Sequence, residues 1–327
     1  MSDLKIIAAT LILSVLLITR VSSSNGDRSS YYQKCLQSCI YTNCTKNILV
    51  FKEHAAANQE LGAWLLGWGC VDECRYDCMW RTVDWFGTHN VVPKFHGKWP
   101  FYRLFGIQEP ASAIFSILNL LAHVQMYKKM NVLFRNYDPP FKTSWKMFAL
   151  VCIHAWSWSA IFHTRDTPFT EFMDYACALS MVIAFYACAV LRVLYRVWHP
   201  YSALVVLVPA VLYYLDHTRY LWGAAVDYDL NMSLNIGIGV VAGMLWLSFC
   251  VWQWRRGGRY VWRLALFCLA TACSLWLEVR DFPPLGAAMD AHALWHLSTA
   301  PLPYLFYRNT LILCAFVIDL QHHQVSY

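Results

Sequence analysis

Charge is scarce in this chain. Of its 327 residues only 14% are Lys, Arg, Asp or Glu, against about a quarter in an ordinary soluble domain. That leaves little polar side chain with which to cover a water-facing surface, and intrinsic disorder fits no better. With only 14 glycines, a collagen-like repeat is excluded. The formal net charge of +6 is modest, and it is laid out by membrane side rather than gathered into a phosphate-tracking patch, so nucleic acid is a poor partner. Internal repeats, low-complexity stretches and long flexible linkers are also missing.

What the chain does have is apolar surface. Hydrophobic residues make up 58% and aromatic residues 16%, including 16 Trp. From Pro110 onward the apolar runs fall near 110–127, 144–163, 172–191, 200–217, 231–252, 260–278 and 292–318. The expected fold is an all-α membrane protein: a seven-transmembrane helix bundle with a small disulfide-rich luminal domain at its N-terminal side. Pro209, Pro301 and Pro303 fall inside runs, where neighbouring helices can satisfy freed carbonyls. Gly239-x-x-x-Gly243 allows a close helix contact.

Residues 1–24 read as a signal peptide. Lys5 opens it, Ile6 to Ile18 form an apolar run of 13, and Val21-Ser22-Ser23-Ser24 offers small residues for cleavage. A run that short fits a cleaved signal better than a permanent anchor, which needs about 20 residues. The expected organisation is then a luminal Cys-rich domain at 25–105, a seven-span catalytic membrane domain at 106–318 and a cytosolic tail at 319–327.

The 13 cysteines divide accordingly. Cys152, Cys177, Cys188, Cys250, Cys268, Cys273 and Cys314 lie in apolar runs, where Cys acts as a small hydrophobe. Cys35, Cys39, Cys44, Cys70, Cys74 and Cys78 lie in the polar segment, where an oxidising compartment favours disulfides over zinc. The i,i+4 spacings of Cys35/Cys39 and Cys70/Cys74/Cys78 put each group on one helix face. Six cysteines allow 15 pairings; an antiparallel helical hairpin would join Cys35 to Cys78, Cys39 to Cys74 and Cys44 to Cys70. Asn43-Cys44-Thr45 is an N-glycosylation acceptor triplet.

Basic residues set the orientation. Loops one, three and five hold eleven Lys or Arg, whereas the intervening loops hold three, Arg165, Arg219 and Arg280. The basic side is cytosolic, so the poorer loops face the lumen. This agrees with an N-terminus delivered to the lumen.

Against that background one constellation stands out, because ionisable groups at membrane depth are costly. Ser159-x-x-x-His163 ends the second run, Asp174 begins the third, and His292-x-x-x-His296 begins the seventh. All lie toward the luminal face, and each i,i+4 pair shares one side of its helix. Three imidazoles with a fourth position open are the pattern of a catalytic Zn²⁺ site, which lowers the pKa of a bound water toward 7. Asp174 is the candidate general base, and Ser159 is placed to orient the water or donate to an oxyanion. Core pairing of polar groups is the competing reading for any single histidine. His154 falls on the opposite helix face and His123 lacks a spaced partner, so both read as structural. His89, His96, His322 and His323 read as solvated. No Gly-x-Ser-x-Gly elbow, His-Glu-x-x-His or phosphate-binding loop is present, which makes a metal-dependent hydrolase a better fit than a serine-nucleophile lipase.

At these residues the chain resembles the membrane-hydrolase superfamily of alkaline ceramidases and adiponectin-receptor-like proteins. More specifically, Phe162-His163-Thr164-Arg165-Asp166-Thr167, then Thr170-Glu171 and Asp174-Tyr175, resemble the post-GPI-attachment lipid-remodelling factors, a GPI-specific phospholipase A2 family. The Cys-rich segment ahead of the spans matches too. The resemblance implies removal of the unsaturated sn-2 acyl chain from GPI anchors already on protein, in the Golgi membrane or, in some lineages, the endoplasmic reticulum membrane. Asp227-Tyr228-Asp229-Leu230-Asn231-Met232 departs from the family's Asp-Tyr-Gly-Tyr-Asn-Met at Asp229 and Leu230, which puts a headgroup role for that loop in doubt. Arg165, Arg219 and Arg280 are candidates to pair with the inositol phosphate, with interfacial snorkelling as the alternative. Two other readings stay open: a ceramidase-like amidase or esterase on another luminal lipid, and a seven-span receptor or transporter with a structural metal.

Overall fold

The computed structural model describes residues 25–87, 92–139, 141–194, 201–223 and 227–310. The expected signal peptide and C-terminal tail lie outside the described residues, as do His89, Cys314, His322 and His323. Four helices belong to the Cys-rich N-terminal segment: α1 (Ser30–Asn43), α2 (Glu53–Ala56), α3 (Leu61–Leu65) and α4 (Cys70–Gly87). Ser29 caps α1 by accepting from the Tyr32 amide, the ordinary serine solution for an unpaired first-turn donor. The cores of α1 and α4 are stapled by Cys35–Cys78, Cys39–Cys74 and Cys44–Cys70, each with Cα atoms 5.7 Å apart. This nested ladder is the pairing an antiparallel hairpin calls for. Tyr32 and Phe95 complete a small apolar centre around Cys78.

The remaining helices are α5 (Pro110–Asn136), α6 (Lys142–Thr164), α7 (Pro168–Leu194), α8 (Tyr201–Gly223), α9 (Tyr228–Arg255), α10 (Trp262–Val279, entered through a 3₁₀ turn at Arg259–Val261) and α11 (Ala291–Thr299). Pro110 sits in the first turn of α5, where a missing N–H costs nothing. Asp227 and Asp290 cap α9 and α11 through the amides of Leu230 and Ala293. Helices α5, α6, α7, α9, α10 and α11 close into a ring in that order, α11 returning to α5, and α8 lies against α7.

Four of these helices are long and apolar enough to cross a membrane, at Lys142–Thr164, Pro168–Val193, Tyr228–Arg255 and Arg259–Val279. The apolar run expected at 292–318 is not one helix: α11 stops at Thr299 and helix resumes over 302–310. Pro301 sits at the break, where its ring would clash with the preceding turn. Pro209, by contrast, is accommodated inside α8. A Cβ on Gly239 would touch Val182 of α7 at 3.9 Å, whereas one on Gly243 would meet nothing within 4 Å. The close crossing expected at both glycines is therefore absent at the second.

The ring has two unlike ends. Along α5, Ser112, Ser116 and Asn119 are buried first, then Met126, Met130 and Phe134. Along the oppositely directed α6, Trp145, Phe148 and Cys152 come first and Ser159 and His163 last. Interlocked rings fill the apolar end, with Phe148–Phe306 centroids 5.1 Å apart and Phe267–Phe306 5.2 Å apart. In lipid, helix association rests on such packing and on interhelical hydrogen bonds. The polar residues are thereby gathered at the other end, toward the Cys-rich segment.

Candidate metal centre

The last turn of α6 and the only two turns of α11 bring three imidazoles together. His292 Nε2 stands 3.3 Å from His163 Nε2 and 2.8 Å from His296 Nε2, and one nitrogen from each ring lies within 4.8 Å of the others. His163 and His296 are buried and His292 is half-buried. The i,i+4 spacing on α11 makes the pair converge, as expected from the sequence. Two cysteine groups are equally compact, but their sulfurs are in disulfides.

Carboxylates fix the outward nitrogens. Glu109 Oε2 lies 2.7 Å from His163 Nδ1, and Glu278 Oε2 lies 2.7 Å from His292 Nδ1. A proton on each Nδ1 then satisfies its carboxylate and leaves the Nε2 lone pairs facing one another. Two lone pairs 3.3 Å apart repel unless a cation lies between them. Nitrogens about 2.0–2.1 Å from zinc at tetrahedral angles stand about 3.3 Å apart. The donor set therefore fits zinc: neutral imidazoles through Nε2, oriented by carboxylates. Burial alone would raise the Glu109 carboxyl, but Lys98 and His163 hold it well below the usual carboxylate range.

Ser159 and Asp174 flank the trio. The Asp174 carboxyl is buried within electrostatic reach of His163, His292 and Ser159. Ser159 Oγ is 3.2 Å from Ser116 Oγ, which is 3.5 Å from His296 Nδ1. Asn119 donates to the His296 carbonyl at 2.7 Å. Glu109, Glu278, Ser116 and Asn119 belong to no spaced motif, so the sequence pattern did not reveal them; the available signal was a lone carboxylate at the luminal end of an apolar run, as at Glu278. Tyr228 donates to Glu278 at 3.4 Å. The divergent Asp227–Met232 segment thus reaches the site through that carboxylate, while Asn231 bonds His217 of α8 at 3.0 Å.

Other candidates lie apart from the trio. His154 is bonded by Trp158 and contacts Cys177, and His123 meets the Tyr307 hydroxyl at 3.0 Å. Arg165 turns toward the luminal domain: Nη1 donates to the Leu66 carbonyl at 2.6 Å, Nη2 lies 3.4 Å from Asp72, and the guanidinium stacks on Trp68. Its fork is already engaged within the protein. Arg219 and Arg280 are exposed, the latter over Trp276. Asn43 ends α1 with its amide nitrogen against Cys39 Sγ.

Known proteins resemble this chain over most of its length. The chain is 39% identical to "Post-GPI attachment to proteins factor 3" of Drosophila melanogaster over 96% of both chains. It is 39% identical to "GPI-specific phospholipase A2-like PGAP3" of Danio rerio over 95% of both, and 39% identical to the Homo sapiens protein of that name over 92% of both. No solved structure matches. The Per1-like family matches residues 61–311, a stretch that contains every residue of the trio and its supports, and the chain belongs to that family.

Proposed function

We propose that this protein is a zinc-dependent lipid hydrolase that removes the unsaturated sn-2 acyl chain from GPI anchors already attached to protein. In this reading it crosses a Golgi or endoplasmic reticulum membrane seven times, with the N-terminus luminal and the C-terminus cytosolic. The observation that carries it is the convergence of His163, His292 and His296 with their outer nitrogens held by carboxylates. The names of its relatives supply the substrate class. His163, His292 and His296 would hold the zinc, which when bound supplies Lewis acidity and a nucleophilic water at neutral pH.

Asp174 acts as the base, drawing the proton from the attacking water and returning it to the departing sn-2 oxygen. Ser159, close to that carboxylate, presents its hydroxyl toward the developing oxyanion. Arg219 and Arg280 are the cations offered to the inositol phosphate, since the Arg165 fork is occupied by Leu66 and Asp72.

The test is mass spectrometry of GPI anchors from cells lacking the endogenous protein. Wild type should convert anchors with unsaturated sn-2 chains to lyso or saturated forms. Asp174→Asn should retain zinc and fold but lose about 10²–10⁴-fold in rate. Purified, zinc-loaded wild type that releases no fatty acid from any GPI substrate would overturn the hydrolase reading in favour of a receptor.

A further inference from the structure

Between the disulfide domain and α5, residues 92–109 cross the mouth of the histidine cluster. At one side Lys94 pairs with Asp281, Trp99 Nε1 donates to Asp281 at 2.6 Å, and the Tyr102 amide donates to the Ala287 carbonyl at 3.0 Å. These contacts hold the turn between α10 and α11, whose two ends carry Glu278 and His292. At the other side Gln108 and Glu109 donate their amides to the carbonyls of Thr164 and His163, each at 3.0 Å. The Asp166 amide donates to the Gln108 side chain at 3.0 Å. One stretch of chain thus braces both helix ends that supply the trio.

Its central charged residue is Lys98. The ammonium lies 2.6 Å from Asp166 and 3.3 Å from Glu109, and 4.2 Å above the Phe162 ring. Glu109 uses its two oxygens differently: Oε1 faces Lys98 and Oε2 faces His163 Nδ1. The contact to Lys98 on Oε1 fixes the carboxylate plane and keeps Oε2 aimed at the imidazole. Without that ammonium, nothing holds Oε1, and the carboxylate is free to turn so that Oε2 no longer faces His163 Nδ1. His163 then loses its fixed tautomer and ring plane.

We infer that Lys98 is a positioning residue for the metal centre, acting from the luminal segment through Glu109 on His163. This rests on the zinc reading above, and it makes the luminal segment part of the site rather than an appendage. Partners in a ligand's outer shell typically contribute 10–100-fold to metal affinity. Removing the lysine charge is expected to weaken binding by about that factor.

The test is zinc affinity of the purified full-length protein, by competition with a chromophoric chelator. Lys98→Met should weaken binding by about 10–100-fold and Lys98→Arg should restore most of it. Because the effect runs through Glu109, Lys98→Met combined with Glu109→Gln should bind like Glu109→Gln alone. Thermal unfolding of the metal-free proteins should be similar for Lys98→Met and wild type, separating metal positioning from general damage. Wild-type affinity in Lys98→Met, or losses that add in the double variant, would overturn the role of Lys98 and leave the zinc reading standing. Wild type that binds no zinc would overturn both.

Discussion

The Cys-rich domain and the helical ring hold their shape by opposite means. In the Cys-rich domain three disulfides join two helices over a centre of few apolar side chains, chiefly Tyr32, Cys78 and Phe95. So small a core would be marginal alone, and covalent closure offsets the chain entropy it cannot. The ring carries no disulfide among its described residues and is packed by large rings such as Trp145, Phe148, Trp246 and Phe306. Its packing is concentrated at one end, which frees the other for polar groups. Covalent staples hold a small domain that has little apolar core, whereas dense packing at one end of the ring leaves room for a polar cluster at the other.

That contrast predicts separable failures. The largest effect should follow His296→Ala, which removes a buried ligand: metal analysis should fall from about one zinc per chain to a small fraction, with the disulfides intact. Next is replacement of Cys44 and Cys70 together by Ser, which should cost about 2–5 kcal/mol of luminal-domain stability. Limited proteolysis within 30–87 should report it, while zinc affinity stays within a few-fold; parallel loss of zinc would mean that the two regions unfold as one unit. Glu278→Gln keeps an acceptor for His292 Nδ1 but loses its charge, so zinc competition should show about 10–100-fold weaker binding. Smallest is Arg165→Lys, which gives up the planar stack on Trp68 and the two-point contact with Leu66 and Asp72. About 0.5–1 kcal/mol of docking should go with it, seen as faster hydrogen exchange over 61–72 with zinc affinity preserved.

The sequence made some of this legible because periodicity carries it. The i,i+4 spacing of His292 and His296 fixes a shared face whatever surrounds it, and the cysteine spacings do the same for α1 and α4. Glu109 was invisible because its partner lies 54 residues away, and a single acidic residue beside a helix start reads as an ordinary cap. Arg165 shows the reverse difficulty. A luminal arginine looks alike whether it meets a lipid phosphate or a carbonyl, and its partner Leu66 lies 99 residues earlier. The break after Thr299 was written in Pro301, yet hydropathy alone runs straight across it. Among the described residues four helices are apolar enough to span, and the run at 292–318 is not among them because α11 stops at Thr299.

The nesting of the disulfides against the reach of the metal site also orders events during synthesis. The luminal cross-links close within sequence separations of 26 to 43 residues, all before α5 begins. The Ser116–His296 contact spans 180 residues, and α11 follows every other helix named above. At translation rates of 5–20 residues per second, more than 200 residues separate Cys78 from His292, a delay of roughly 10–40 s. During that interval the stapled domain is complete, while His163 and Glu109 wait beside an unfilled edge of the ring. In the zinc reading, metal capture is then a terminal event of assembly, and a chain cut before Ala291 would leave the ribosome with a finished Cys-rich domain and without the histidine pair of α11.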